Sequence, residues 1–142
     1  MKFKYRKIPD DTNPPYKYVS VPLLPVTLFY ETNQQNLLGL LDSGADECMF
    51  HSSIGELLGI DVQSGRPKRH FGVAGQPIDS FMHTIRLQIQ GYHERIELEA
   101  AFTDYNEMPL IGQRGFFDNY QVIFERYRGR FEIKSRTFLR AR

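Results

Sequence analysis

The sequence predicts a mainly β protein, a compact barrel or folded sheet carrying one or two short helices. Three observations point there. In residues 85–102, Ile85, Leu87 and Ile89 alternate with Arg86, Gln88 and Gln90, and Ile96, Leu98, Ala100 and Phe102 alternate with Glu97, Glu99 and Ala101. That two-residue period is the mark of half-buried antiparallel strands. The other apolar runs are short, punctuated by Gly, Pro, Asn and Asp, and show no strand–helix–strand rhythm. Eight Tyr and eleven Phe, with no Trp, make an aromatic load that suits strands.

The totals set bounds on function. A chain of 142 residues is one domain by size, with room for a core. A formal net charge of +1 exerts no global pull toward nucleic acid or membrane, and no apolar run approaches the length of a membrane span. The basic start, Met1 to Lys7, has no apolar stretch behind it and does not read as a secretory signal. The single cysteine, Cys48, excludes an intrachain disulfide framework and fits a reducing compartment, so a cytoplasmic protein is expected.

Residues 1–18 are basic, then proline-rich through Pro14 and Pro15, and read as an N-terminal arm or linker; the domain proper is residues 19–142. Residues 18–30 carry a first strand that Pro22 and Pro25 should push to an edge or bend around a bulge. The polar stretch 32–36 reads as a turn, and a second strand over 37–41 then delivers Asp42-Ser43-Gly44. Ser53 and Glu56 have capping-box spacing, Ile54, Leu57 and Leu58 form one apolar face, and Gly59 closes a helix of about two turns. Residues 61–80, with Gly65, Gly72 and Gly75, read as a mobile hairpin whose tip lies at 72–75. After the two alternating strands, Pro109-Leu110-Ile111-Gly112 is an apolar run ending in glycine. A short helix over 113–119 and a closing hairpin around Arg128-Gly129 complete the chain.

Asp42-Ser43-Gly44 is ordinary turn chemistry when taken alone. In combination with the glycine-rich hairpin at 72–75 and with Leu110-Ile111-Gly112 before a short helix, it resembles the retroviral-type aspartic proteases, the retropepsin-like family. The order and spacing match over residues 19–134, in a style most similar to small soluble prokaryotic members. The resemblance implies a closed or partly open β-barrel of the retropepsin type. It also implies a catalytic Asp42, with Ser43 buttressing the motif across a dimer and Gly44 admitting substrate backbone. Substrate contacts are implied for Ala45, Asp46, Gly72, Val73, Ala74, Gly75 and Ile111, with residues 66–82 as the flap and Val73 and Ile78 lining pockets. Gly112 matches the element that packs beneath the catalytic loop. Retroviral members usually place Arg directly after that glycine, paired with the acid of the motif. Here Gln113 stands there and Arg114 follows, so that ion pair is either lost or made differently.

Peptide hydrolysis by carboxylates needs two of them, one to take a proton from water and one to give a proton to the carbonyl oxygen. Pepsin illustrates the requirement: two carboxylates about 3 Å apart share one proton and titrate as a pair. This chain has one Asp-Ser-Gly, and Asp79-Ser80-Phe81 does not repeat it. The second carboxylate must therefore come from a second copy, and a homodimer acting on protein or peptide substrate is expected. No metal or cofactor is expected: His51, His70, His83 and His93 lack ligand spacing, and Cys48 has no partner cysteine. Cys48, in an apolar setting beside Met49 and Phe50, reads as a buried structural thiol before a nucleophile. Two rival readings stand beside the endopeptidase. One is a catalytically inactive retropepsin-like dimer serving as a peptide-binding or scaffold module. The other is an adaptor using its C-terminal arginines on nucleic acid, although charged edge strands explain those arginines more simply.

Overall fold

The computed structural model describes residues 1–136, and the chain is mainly β. The strands are β1 (Lys2–Lys4), β2 (Arg6–Pro9), β3 (Tyr18–Val21), β4 (Leu23–Tyr30), β5 (Asn33–Leu41), β6 (Cys48–His51), β7 (Arg66–Phe71), β8 (Pro77–Ile89), β9 (Ile96–Thr103), β10 (Leu110–Ile111), β11 (Tyr120–Glu125) and β12 (Arg130–Ser135). Among the described residues the one α-helix, α1 (Ser52–Leu57), follows β6 directly.

Seven strands form one sheet in the order β4-β5-β10-β6-β9-β8-β7, and β8 also pairs with β4. That extra ladder, Val26 to Phe29 on Ile89 to Arg86, closes six strands into a barrel and leaves β7 hanging from β8. Closure removes the edges that six open strands would expose. The barrel is filled by Leu24, Val26, Leu28, Phe50, Ile85, Leu87, Ile89, Leu98, Phe102 and Ile111. The alternation in 85–102 works as expected, with the odd positions of β8 and the even positions of β9 inside. Ala101 and Thr103 are buried as well: Ala101 packs with Met49, Met82 and Leu110 on the other face of the sheet, and Thr103 Oγ1 donates to the Asp79 carbonyl.

Several sequence expectations need correction. The first strand is broken at Pro22 into β3 and β4, as its prolines suggested, but β4 is not an edge: it is the strand that closes the barrel. Pro25 is accommodated because it lies outside the β4–β8 ladder. Of the polar stretch 32–36 only Thr32 lies in a turn. Glu31 and Thr32 make a two-residue turn, and Asn33 to Asn36 are the exposed start of β5, paired with Tyr30 to Thr27. The cap of α1 is His51, whose Nδ1 accepts from the Ser53 N–H at 3.1 Å, not Ser53 itself. Leu57 faces solvent, while Leu58 and Gly55 pack inward. Residues 113–117 form a kinked turn, not a regular helix, because Arg114 and Gly115 leave helical backbone angles.

The segment expected as an arm is paired chain. β1 adds to β12, which adds to β11, in a separate three-stranded sheet. Phe3 stacks on the fully buried Phe131 with ring centroids 5.3 Å apart, and Tyr5 meets the same ring edge-on at 5.9 Å. β2 and β3 form a two-stranded hairpin of their own. Replacing Phe3 by Ala removes a half-buried ring and its stacking, and is expected to lower unfolding stability by about 1–2 kcal/mol. Urea denaturation measures it; an unchanged midpoint would show that β1 contributes nothing to the fold.

Candidate active site

The barrel brings three segments to one end. β10 lies parallel to β5, with Leu110 opposite Leu40 and Ile111 opposite Leu41, and antiparallel to β6. The loop 42–47 leaves β5 and enters β6, and so folds over the end of β10. The Asp42 N–H donates to the Ile111 carbonyl at 3.0 Å, the Gln113 N–H to the Ala45 carbonyl at 2.8 Å, and the Arg114 N–H to the Asp46 carbonyl at 2.8 Å. The Gln113 side-chain Nε2 donates to the Ser43 carbonyl at 2.6 Å. The loop is thus held by backbone bonds from the strand below it, which is how a turn of small and polar residues acquires a fixed shape.

Asp42 is half-buried at the head of this loop, and its Oδ1 accepts from the Gly44 N–H at 2.9 Å. Ser43 and Gly44 are exposed, Ala45 is half-buried and Asp46 is exposed. Among the described residues, neither the Ser43 hydroxyl nor the Asp46 carboxylate has a hydrogen-bond or ion-pair partner within the chain. Gly112 explains the position of the whole loop. A Cβ there would lie 2.3 Å from the Glu47 carbonyl oxygen and 2.7 Å from that of Ala45, so only glycine lets β10 pass under the loop.

The ion pair left open by Gln113 is made, but with a different acid. Arg114 reaches Glu47 at 3.2 Å, and Lys68 of β7 also pairs with Glu47. Glu47 is 5% exposed, the one buried acid among the described residues. A buried carboxylate requires such partners. Sequence reasoning missed Glu47 and Lys68, because nothing local marks a carboxylate whose partners lie 21 and 67 residues away.

Above the loop stands the β7–β8 hairpin. Its tip is closed by Gly72 N–H to the Gln76 carbonyl and Gly75 N–H to the Gly72 carbonyl, both 2.9 Å, with Gly75 in the left-handed region at φ +82°. Gly72 is half-buried, and Val73, Ala74 and Gly75 are exposed. Register places Lys68 opposite Ser80 and His70 opposite Ile78, so these four share a face; Phe71 is 71% exposed on the other. Ser80 Oγ donates to the Lys68 carbonyl at 2.9 Å, so the 2.8 Å contact from His70 Nε2 is an N–H donated to that hydroxyl. Burial first, then the Lys68 charge, holds the His70 imidazole below its usual range, against the pull of Glu47 and Asp46.

Ile111 needs correction as a substrate-facing residue. It is fully buried in the barrel core, whereas its neighbour Leu110 points to the other side, against Met49, Met82 and Ala101. Alternation along β10 makes the two mutually exclusive. Cys48 is buried beneath the loop, accepts from the Gly112 N–H at 3.4 Å, and burial pushes its thiol up to about 12. An unfolded thiol ionises near 9, so this group's contribution is whole below pH 9 and is lost as pH rises from there toward 12, on the order of 4 kcal/mol. Cys48→Ala should therefore flatten the alkaline limb of stability against pH, measured by denaturant titration; an unchanged limb would contradict the burial. The C-terminal basic residues are largely engaged within the fold: Arg126 donates to the Ser20 carbonyl, Arg128 and Arg130 pair with Glu125, and Arg136 donates to the Asp118 carbonyl. Arg140 and Arg142 lie outside the described residues. Among the described residues no helix is long and apolar enough to cross a membrane.

Comparison with solved structures matches this barrel to the EIAV protease, solved in complex with the inhibitor HBY-793, at a TM-score of 0.51 over 66% of this chain and 82% of the viral one. The fold is retropepsin-like. Identity over the match is 22%, so the likeness is one of fold. No protein-family model matches the sequence, and no curated protein matches it. In the retropepsin-like frame, the Asp42 loop, the β7–β8 hairpin and Gly112 are the three elements around one open end of the barrel.

Proposed function

We propose that the protein is an aspartic endopeptidase acting as a homodimer, with Asp42 of each copy forming the dyad that activates water. The observation that carries this reading is the Asp42-Ser43-Gly44 loop. It is clamped by Ile111 and Gln113 at the open end of a retropepsin-like barrel, beneath a hairpin with a glycine-flanked tip. One carboxylate of the pair, ionised, takes the proton from water as it attacks the scissile carbonyl. The other, protonated, donates to the carbonyl oxygen, and proton return to the leaving amine restores the pair. The outward Ser43 hydroxyl and Asp46 carboxylate are available to a second copy and to substrate backbone. The hairpin excludes water once the peptide is seated. Val73, Ile78 and Leu110 offer apolar contacts to side chains of an extended peptide.

Calorimetric titration with a statine-type peptide, which mimics the tetrahedral intermediate, tests this reading. The expected stoichiometry is one inhibitor per two chains. One per chain, or no binding by folded protein together with no cleavage of unfolded casein, would instead support an inactive scaffold.

A further inference from the structure

The geometry points to Glu47 as a positioning residue: we propose that it pins the base of the β7–β8 hairpin to the Asp42 loop, so that only residues 71–77 move as a lid. The kinetic consequence rests on the peptidase reading above; the pinning does not.

Glu47 ends the loop that begins at Asp42, and its carboxylate is buried. Two cations converge on it from different elements, Lys68 from the hairpin and Arg114 from the turn after β10. Arg114 is itself bound to the loop through its N–H on the Asp46 carbonyl. Withdrawing Lys68 would leave a buried anion with one largely exposed partner, which opposes movement of β7 at that point. Other bonds reinforce the same level of the hairpin. Ser80 Oγ holds the Lys68 carbonyl, His70 holds Ser80 Oγ, and Thr103 Oγ1 of β9 donates to the Asp79 carbonyl at 2.8 Å. Beyond His70 the strands have only each other: Phe71, Val73, Ala74, Gly75, Gln76 and Pro77 are all exposed. The boundary between held and free chain therefore falls between residues 70 and 71 on one strand and 77 and 78 on the other. A pivot there places the carboxylate that fixes it five residues from Asp42, so lid position and loop shape are coupled through one side chain.

Hydrogen exchange on the full chain tests this. In the wild type, residues 71–77 should exchange fast and residues 68–70 slowly. Glu47→Gln keeps the shape and removes the charge; Lys68→Met removes the same pair from the other side and serves if the first variant folds poorly. Each should speed exchange of residues 68–70 about tenfold while leaving β9 unchanged. A merely structural role would speed exchange throughout the barrel, and unchanged exchange at 68–70 in a folded variant would overturn the proposal. With a fluorogenic peptide, KM should rise about tenfold with kcat altered much less, since a lid held less often over substrate weakens binding. Altered exchange at 68–70 with no cleavage by the wild type would leave the pin standing and remove the peptidase reading.

Discussion

Asp42→Asn is expected to abolish peptide cleavage while leaving the barrel intact. The amide keeps the size of the carboxylate, and its oxygen still accepts the 2.9 Å bond from the Gly44 N–H, so the loop keeps its shape. What is lost is the proton exchange. Two amides can neither take a proton from water nor return one to the amine, and general acid–base catalysis of this kind contributes about 10²–10⁴-fold at each step. Cleavage of unfolded casein should fall by at least ~10³-fold, with the circular dichroism spectrum and thermal midpoint close to those of the wild type. Retained cleavage would remove Asp42 from the chemistry.

Gly112→Ala is the second large effect, and it acts on fold and site together. The added methyl would stand 2.3 Å from the Glu47 carbonyl oxygen, 2.6 Å from its carbonyl carbon and 2.7 Å from the Ala45 oxygen. All three are backbone atoms of the loop, which cannot swing aside as the end of a side chain can. Either β10 drops away from the loop, breaking the Gln113 and Arg114 N–H bonds to Ala45 and Asp46, or the loop lifts and carries Asp42 with it. Overpacking against backbone costs about 3 kcal/mol. The expected result is that loss in urea denaturation together with loss of cleavage. A variant as stable and as active as the wild type would show that the loop is far looser than its bonds imply.

These two residues were legible in the sequence for different reasons. Asp42 stands at the end of an apolar run, and Gly112 at the end of another; each is local punctuation that a linear reading detects. The β8–β9 pair was equally plain over Ile85 to Ile89 and Ile96 to Glu99, because buried and more exposed residues alternate there. What escaped was set by distant partners. Asn33 to Asn36 look like a turn because their side chains are polar, but they pair with Tyr30 to Thr27 of β4 while leaving most of their own side chains in solvent. β1 is three residues long and exists because Phe131, at the far end of the chain, offers a ring to Phe3. Leu110 and Ile111 could not be assigned to faces until β10 was seen between β5 and β6. Glu47 resembles any surface acid until Lys68 and Arg114 are brought onto it.

That last arrangement also accounts for the departure at Gln113. Its side chain caps the Ser43 carbonyl, and the cation moves one residue on, to an acid one residue on from Asp46. Asp46 is thereby left with a free carboxylate at the open end of the barrel. A free acid at that place suits main-chain amides of an extended peptide, or a cation from a second copy.

The most direct measurement is the separation of the two Asp42 carboxylates in a crystal structure of the assembled protein. Two copies meeting through their Asp-Ser-Gly loops place those carboxylates about 3 Å apart, close enough to share a proton. A monomer, or a dimer whose Asp42 side chains lie more than ~10 Å apart, would contradict the shared dyad, because no single water could then be served by both.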